Sequence, residues 1–262
     1  MGRPLEKPMP QSTSRQHVES IAREGVAPLH LQPILKADGA LYGVEALLRV
    51  PKHCPVKVLS ASDVFGMRSE VEMAVLASCI KIAEAIPGLG AVHVNVSWKT
   101  LIDPKIGASL DAMFSASGLH PSRLIVELSE REKIADQNRA SKALQALSRM
   151  GVCFAIDDFG VGFNHLSTIT SIPIRTLKVD RSIVHAVTRA ATPDERERAK
   201  RLLLGTKMLS TSLSADFVME GIEGTDECGL MADLGCAGQG YYLGCPQPVA
   251  EMTSLLKIRS AA

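Results

Sequence analysis

The segment Cys153-Phe154-Ala155-Ile156-Asp157-Asp158-Phe159-Gly160-Val161-Gly162-Phe163 runs from apolar residues into two adjacent carboxylates and then into a glycine-flanked loop. Side chains alternate across a strand, so Asp157 and Asp158 can face one site only where the strand ends and the backbone turns. Gly160 and Gly162 stand at that turn. Adjacent like charges resist ionising together unless a cation compensates them, and hard oxygen donors suit Mg²⁺ or Mn²⁺. The segment therefore reads either as half of a metal site or as a plain strand followed by an Asp-rich turn. Its neighbours decide between the two.

Upstream, Leu124 to Glu130 reads as a strand, and Asp136 to Met150 as a helix that closes on Gly151. Downstream, Thr176 to Asp180 is the next strand. Thr192-Pro193-Asp194-Glu195 has capping-box spacing with proline at the first helical position, which predicts a helix carrying Leu202, Leu203 and Leu209 inward. Phe217 to Glu223 and Gly238 to Leu243 read as the last strands. Near the start, Leu29 to Leu35 and Leu41 to Val50 flank Ala37-Asp38-Gly39, a hairpin signal that makes the first two strands antiparallel. A helix from Asp63 to Ile86 follows, with Val71, Ala74, Val75, Cys79 and Ile82 on one face and Pro87-Gly88 as its stop, and then a strand from Ala91 to Val96. Strands separated by helices form parallel βαβ units. The expected fold is α/β, a modified (β/α)8 TIM-type barrel with an antiparallel first strand.

Composition agrees with one such domain. The chain has 262 residues, 46% of them hydrophobic, and a net charge of +1 from 29 basic and 28 acidic residues. No global field favours a nucleic-acid polymer or a membrane surface, which leaves a small ligand as the default partner. Cys54, Cys79, Cys153, Cys228, Cys236 and Cys245 contain no Cys-x-x-Cys pair to begin a zinc site, and several lie in apolar runs, as reduced thiols do. Residues 1–26 read as a flexible or helical arm and 27–262 as the barrel. Neither a signal-peptide core nor a bilayer-spanning run is present, so the expected location is cytoplasmic.

On this frame Asn95, Glu127, Asp157, Lys178 and Glu220 each fall at or near the C-terminal end of a different strand. Taken singly they have plain explanations: a turn residue, a rim salt bridge, a lysine reaching solvent. A barrel brings those ends together on one face, and buried ionisable groups are costly unless paired or metal-bound. Their shared register points to a site.

These residues belong to a longer ordered set: Gln32-Pro33-Ile34, Glu45-Ala46-Leu47 within Val44 to Arg49, Val94-Asn95-Val96-Ser97, Glu127-Leu128-Ser129-Glu130, Asp157 to Gly162, Leu177-Lys178-Val179-Asp180, Glu220-Gly221-Ile222-Glu223 and Gln239-Gly240-Tyr241. The set resembles the EAL-domain cyclic di-GMP phosphodiesterases from about Leu29 to Pro248. The resemblance implies hydrolysis of cyclic di-GMP to linear pGpG with two cations, Mg²⁺ or Mn²⁺. Glu45, Asn95, Glu127 and Asp157 would hold one cation, and Asp157, Asp158 and Glu220 the other. Lys178 and Glu220 would act on the attacking water, and Gln32, Arg49, Asp180, Glu223 and Gln239 would contact substrate. Glu130 would latch the loop from Phe159 to Leu166, near which the resemblance places a homodimer contact. Two other classes stay open: a receptor that binds cyclic di-GMP without cleaving it, and a protein-binding scaffold that keeps only the barrel. The complete acidic set weighs against both.

Overall fold

The structure, a computed structural model, describes residues 12–51, 54–129, 132, 134, 136–162 and 173–260. Eight strands close into a ring: β1 (Leu29–Lys36), β2 (Leu41–Leu48), β3 (Ala91–Asn95), β4 (Leu124–Ser129), β5 (Cys153–Phe159), β6 (Ile174–Val179), β7 (Asp216–Met219) and β8 (Ala237–Gly238). From β2 to β8 each strand pairs in parallel with the next, whereas β1 runs antiparallel to both β2 and β8. The reversal follows from the turn between β1 and β2, which is too short for a parallel crossover. Within it Gly39 takes φ 80°, and Asp38 Oδ1 accepts the Ala40 N–H at 2.8 Å. A short β9 (Gln247–Pro248) adds to β1.

Helices cover the outside: α1 (Ser12–Glu24), α2 (Pro55–Val64), α3 (Arg68–Ala85), α4 (Trp98–Leu101), α5 (Ile106–Ser117), α6 (Gln137–Arg149), α7 (Arg181–Thr188), α8 (Pro193–Ser212), α9 (Thr225–Leu234) and α10 (Val249–Ser260). None among the described residues is long and apolar enough to cross a membrane. The α8 start forms as its sequence predicts: Thr192 Oγ1 accepts the Glu195 N–H while Glu195 Oε2 accepts the Thr192 N–H, both at 3.2 Å.

Three expectations need correction. The single helix from Asp63 to Ile86 is two helices, because the chain turns at Phe65-Gly66-Met67 with Gly66 at φ 70°. The last two barrel strands are shorter than expected: the one expected from Phe217 to Glu223 ends at Met219, and the next is only Ala237–Gly238, since the Leu243 and Gly244 N–H groups both donate to the Gly240 carbonyl and close a turn. Leu202 is 58% exposed because Leu203 takes the inward position, and consecutive helical residues lie about 100° apart.

The strands carry two cores, separated by their period of two. Outward residues such as Val92, Val94, Leu124, Val126, Phe154 and Ile156 pack in one large cluster with helix residues, and Leu177, Val179, Phe217 and Met219 in a second. Inward residues at the base of the barrel are compact: Ala91, Ile125 and Ala155 form one small cluster, and Ile34, Val218 and Ala237 another. Two residues further along the same inward face stand His93, Glu127, Asp157 and Glu220. The phase that seats a small apolar residue at the base thus sets a polar one above it.

Candidate functional site

Lys178 is the centre of the site. Its side chain is 1% exposed, and Nζ lies 2.8 Å from Asp157 Oδ1, 2.9 Å from both Glu127 Oε1 and Glu220 Oε1, and 3.5 Å from Glu45 Oε2. Burial alone would lower the lysine pKa, but these carboxylates outweigh it and hold the ammonium well above its ordinary value. Burial likewise raises both glutamates on β4 and after β7. Glu127 is pushed well above the carboxylate range and Glu220 up to about 8, with Lys178 opposing and the neighbouring carboxylates adding to the rise.

Asn95 bridges the top of this cluster, donating from Nδ2 to Glu45 Oε1 at 2.9 Å and to Glu127 Oε2 at 3.0 Å. Gln239 Nε2 donates to Glu45 Oε2 at 2.7 Å and to Gln32 Oε1 at 3.1 Å, and Gln32 Nε2 donates to the Gly244 carbonyl at 3.1 Å. Gln32 reaches the site because β1 is reversed, which sets it opposite Glu45 in register. A Cβ on Gly240 would overlap the Ile222 backbone, so only glycine allows the close approach that seats Gln239.

Asp157 and Asp158 turn toward one region because Asp158 adopts φ 56°, left-handed backbone that few non-glycine residues take. Carboxylate oxygens of Asp158, Asp180 and Glu220 then lie within 4.8 Å of one another. Asp180 is also the N-cap of α7, accepting the Ser182 N–H at 2.7 Å. Glu223 sits apart on the rim, where Arg189 donates to it at 2.6 Å and Arg181 stands 3.8 Å away. Arg49 donates to the Leu48 carbonyl at 3.0 Å and lines a hollow of about 260 Å³ beside Asn95 and Glu127. A larger hollow of about 470 Å³ lies on the other side, lined by Gln32, Glu45, Asp158, Asp180, Glu223 and Tyr241 among others. Glu130 and the loop from Phe163 onward lie outside the described residues.

Two residues of the site escape the sequence reading. His93 is fully buried and hydrogen-bonded through Nδ1 to Glu127 Oε1 at 3.0 Å; burial, with the Lys178 and Arg175 charges, lowers its pKa far enough to keep it neutral. Glu72 on α3 is 3% exposed and accepts both the N–H and the hydroxyl of Ser97, at 3.1 and 2.7 Å, which pins the turn following Asn95.

Glu45, Glu127, Asp157 and Glu220 thus surround the Lys178 ammonium, and Asp158 and Asp180 add two more carboxylates beside Glu220. Such an excess of hard anionic oxygens, with the Asn95 amide between two of them, fits divalent cations of the Mg²⁺ or Mn²⁺ type.

Comparison with known proteins agrees with this geometry. The family described as EAL domain matches residues 16–246. A Caulobacter vibrioides protein described as an uncharacterized signaling protein is 32% identical over 251 residues, covering 91% of this chain and 30% of its own length. The Pseudomonas aeruginosa bifunctional diguanylate cyclase/cyclic di-GMP phosphodiesterase MucR is 30% identical over 235 residues, covering 86% of this chain and 33% of its own. A solved structure described as PaMucR phosphodiesterase in complex with c-di-GMP superposes with a TM-score of 0.77 at 27% identity, over 86% of this chain and 98% of that one. This chain spans about a third of the length of these curated relatives.

Proposed function

The chain belongs to the EAL domain family, and from that membership we propose that it hydrolyses cyclic di-GMP to linear pGpG using Mg²⁺ or Mn²⁺ held at the acidic centre. The observation that carries the reading is the buried Lys178 ammonium encircled by Glu45, Glu127, Asp157 and Glu220, a charge arrangement that is costly to desolvate but suited to a phosphodiester. Similarity to a c-di-GMP-bound phosphodiesterase supports the substrate.

Glu45, Asn95, Glu127 and Asp157 would hold one cation, and Asp157, Asp158 and Glu220 a second, with Asp180 beside it. When bound, such cations polarise the phosphodiester, acidify a water and stabilise the leaving oxygen. The chain supplies the rest. Glu220, whose Oε1 is taken by Lys178, offers its other oxygen to accept the proton of the attacking water. The new P–O bond forms as the bond to the 3′-oxygen breaks; that oxygen leaves as a hydroxyl by taking a proton from solvent water, and the phosphate stays on the 5′-oxygen. Lys178 offsets the negative charge that grows on the phosphoryl group. Arg49 on one side, and Gln32 and Gln239 on the other, orient the two halves of the dinucleotide in the flanking hollows.

Incubating the purified protein with cyclic di-GMP tests this directly. Mg²⁺ or Mn²⁺ should support loss of substrate, a chelator should stop it, and Ca²⁺ should permit binding with little turnover because its bonds are longer and its geometry looser. Equal rates in Ca²⁺ would count against the account.

The raised carboxyl pKa values give a second expected result. Glu220 binds its proton more tightly folded than unfolded, so its contribution to stability is full below the unfolded carboxyl range and is lost as pH rises through about 8. A cation that takes the proton's place reverses that loss. The rise in melting temperature caused by Mn²⁺ should therefore be larger at about pH 8.5 than at about pH 6. A rise independent of pH would place the bound cation away from these carboxylates.

A further inference from the structure

We propose that His93 is a positioning residue that fixes the orientation of the Glu127 carboxylate. The inference rests on the reading of Glu127 as a cation ligand. His93 stands on β3 two residues before Asn95, so both side chains share the inward face, and its register partners are Glu45 on β2 and Ile125 on β4. The imidazole and Glu127 are both 0% exposed and meet at 3.0 Å, Nδ1 to Oε1. Lys178 Nζ lies 2.9 Å from that same oxygen, so in the ionised carboxylate that would bind a cation Oε1 accepts and Nδ1 carries the proton. Asn95 takes the other oxygen at 3.0 Å.

The last torsion of a glutamate is soft, so its rotamer does not set the plane of the carboxylate. An ammonium on a flexible stem, shared here with Asp157, Glu220 and Glu45, does not set it either. A planar ring donor held in the strand does. Among the described residues the bond to Glu127 is the single hydrogen bond of the imidazole: Nε2 is buried without a partner, and the Tyr42 ring lies 6.1 Å away with a 48° tilt. An apolar side chain would fill this place without an orphaned nitrogen. Packing alone therefore does not account for a histidine there, whereas holding Glu127 does.

The test is direct Mn²⁺ binding, measured by calorimetry on the purified protein without substrate. His93→Asn keeps an N–H near the position of Nδ1, His93→Gln places one near Nε2, and His93→Leu has none. Wild type and His93→Asn should bind Mn²⁺ alike, while His93→Leu and His93→Gln should bind about 10–100-fold more weakly. If His93→Leu does not fold, the contrast between His93→Asn and His93→Gln decides. Wild-type affinity in His93→Gln, or equal weakening in His93→Asn and His93→Gln, overturns the inference. A wild type that binds Mn²⁺ but leaves cyclic di-GMP intact overturns the proposed reaction and not this one.

Discussion

Lys178→Ala is expected to lower turnover of cyclic di-GMP by at least ~10³-fold while changing its affinity little. The ammonium is buried beneath the site and meets four carboxylates, so it does not reach outward to grip a ground-state ligand. Its charge counts most when negative charge accumulates on the phosphoryl oxygens. The substitution has a second consequence: Glu45, Glu127, Asp157 and Glu220 lose their common counter-charge, so the cation-free protein should melt earlier and gain more from added Mn²⁺ than wild type does. Steady-state kinetics at saturating Mn²⁺ separates the effects. If KM rises as much as kcat falls, Lys178 binds substrate in the ground state instead.

Glu45→Ala should abolish measurable hydrolysis, a loss of at least ~10³-fold. Glu45 joins the halves of the site: Oε1 accepts from Asn95, and Oε2 accepts from Gln239 and lies 3.5 Å from Lys178. Its removal would delete a proposed cation ligand and free both amides that it orients. Glu45→Gln keeps the shape but supplies a weaker, neutral donor, and should fall between wild type and Glu45→Ala in Mn²⁺ affinity. Wild-type turnover in Glu45→Ala would remove this residue from the cation site.

Much of this arrangement can be read from the chain because the strand period does double duty. In Ile125-Val126-Glu127 and Ala155-Ile156-Asp157 the same phase that puts Val126 and Ile156 against helices puts the acids inside. A charge ending an apolar strand is visible without a structure, and the reversed β1 follows from the short turn at Ala37-Asp38-Gly39-Ala40. What is not visible is what depends on elements the pattern leaves unmarked. Asp180 joins Asp158 and Glu220 because it caps α7, a helix of eight residues whose sequence has no strong start signal beyond that aspartate. Glu72 reaches Ser97 from α3, which is apolar on most sides and so gives no hint of which polar residue turns inward. His93 in Ala91-Val92-His93-Val94-Asn95 reads as a core histidine; its one signal is the two-residue spacing to Asn95.

The most direct test of the central claim is hydrolysis of cyclic di-GMP in H₂¹⁸O with Mn²⁺, followed by mass spectrometry of the product. Attack of a water at phosphorus with departure of the 3′-oxygen predicts linear pGpG carrying a single ¹⁸O in its 5′-phosphate. Cyclic di-GMP that is bound yet recovered intact, or a linear product without the label, would contradict it.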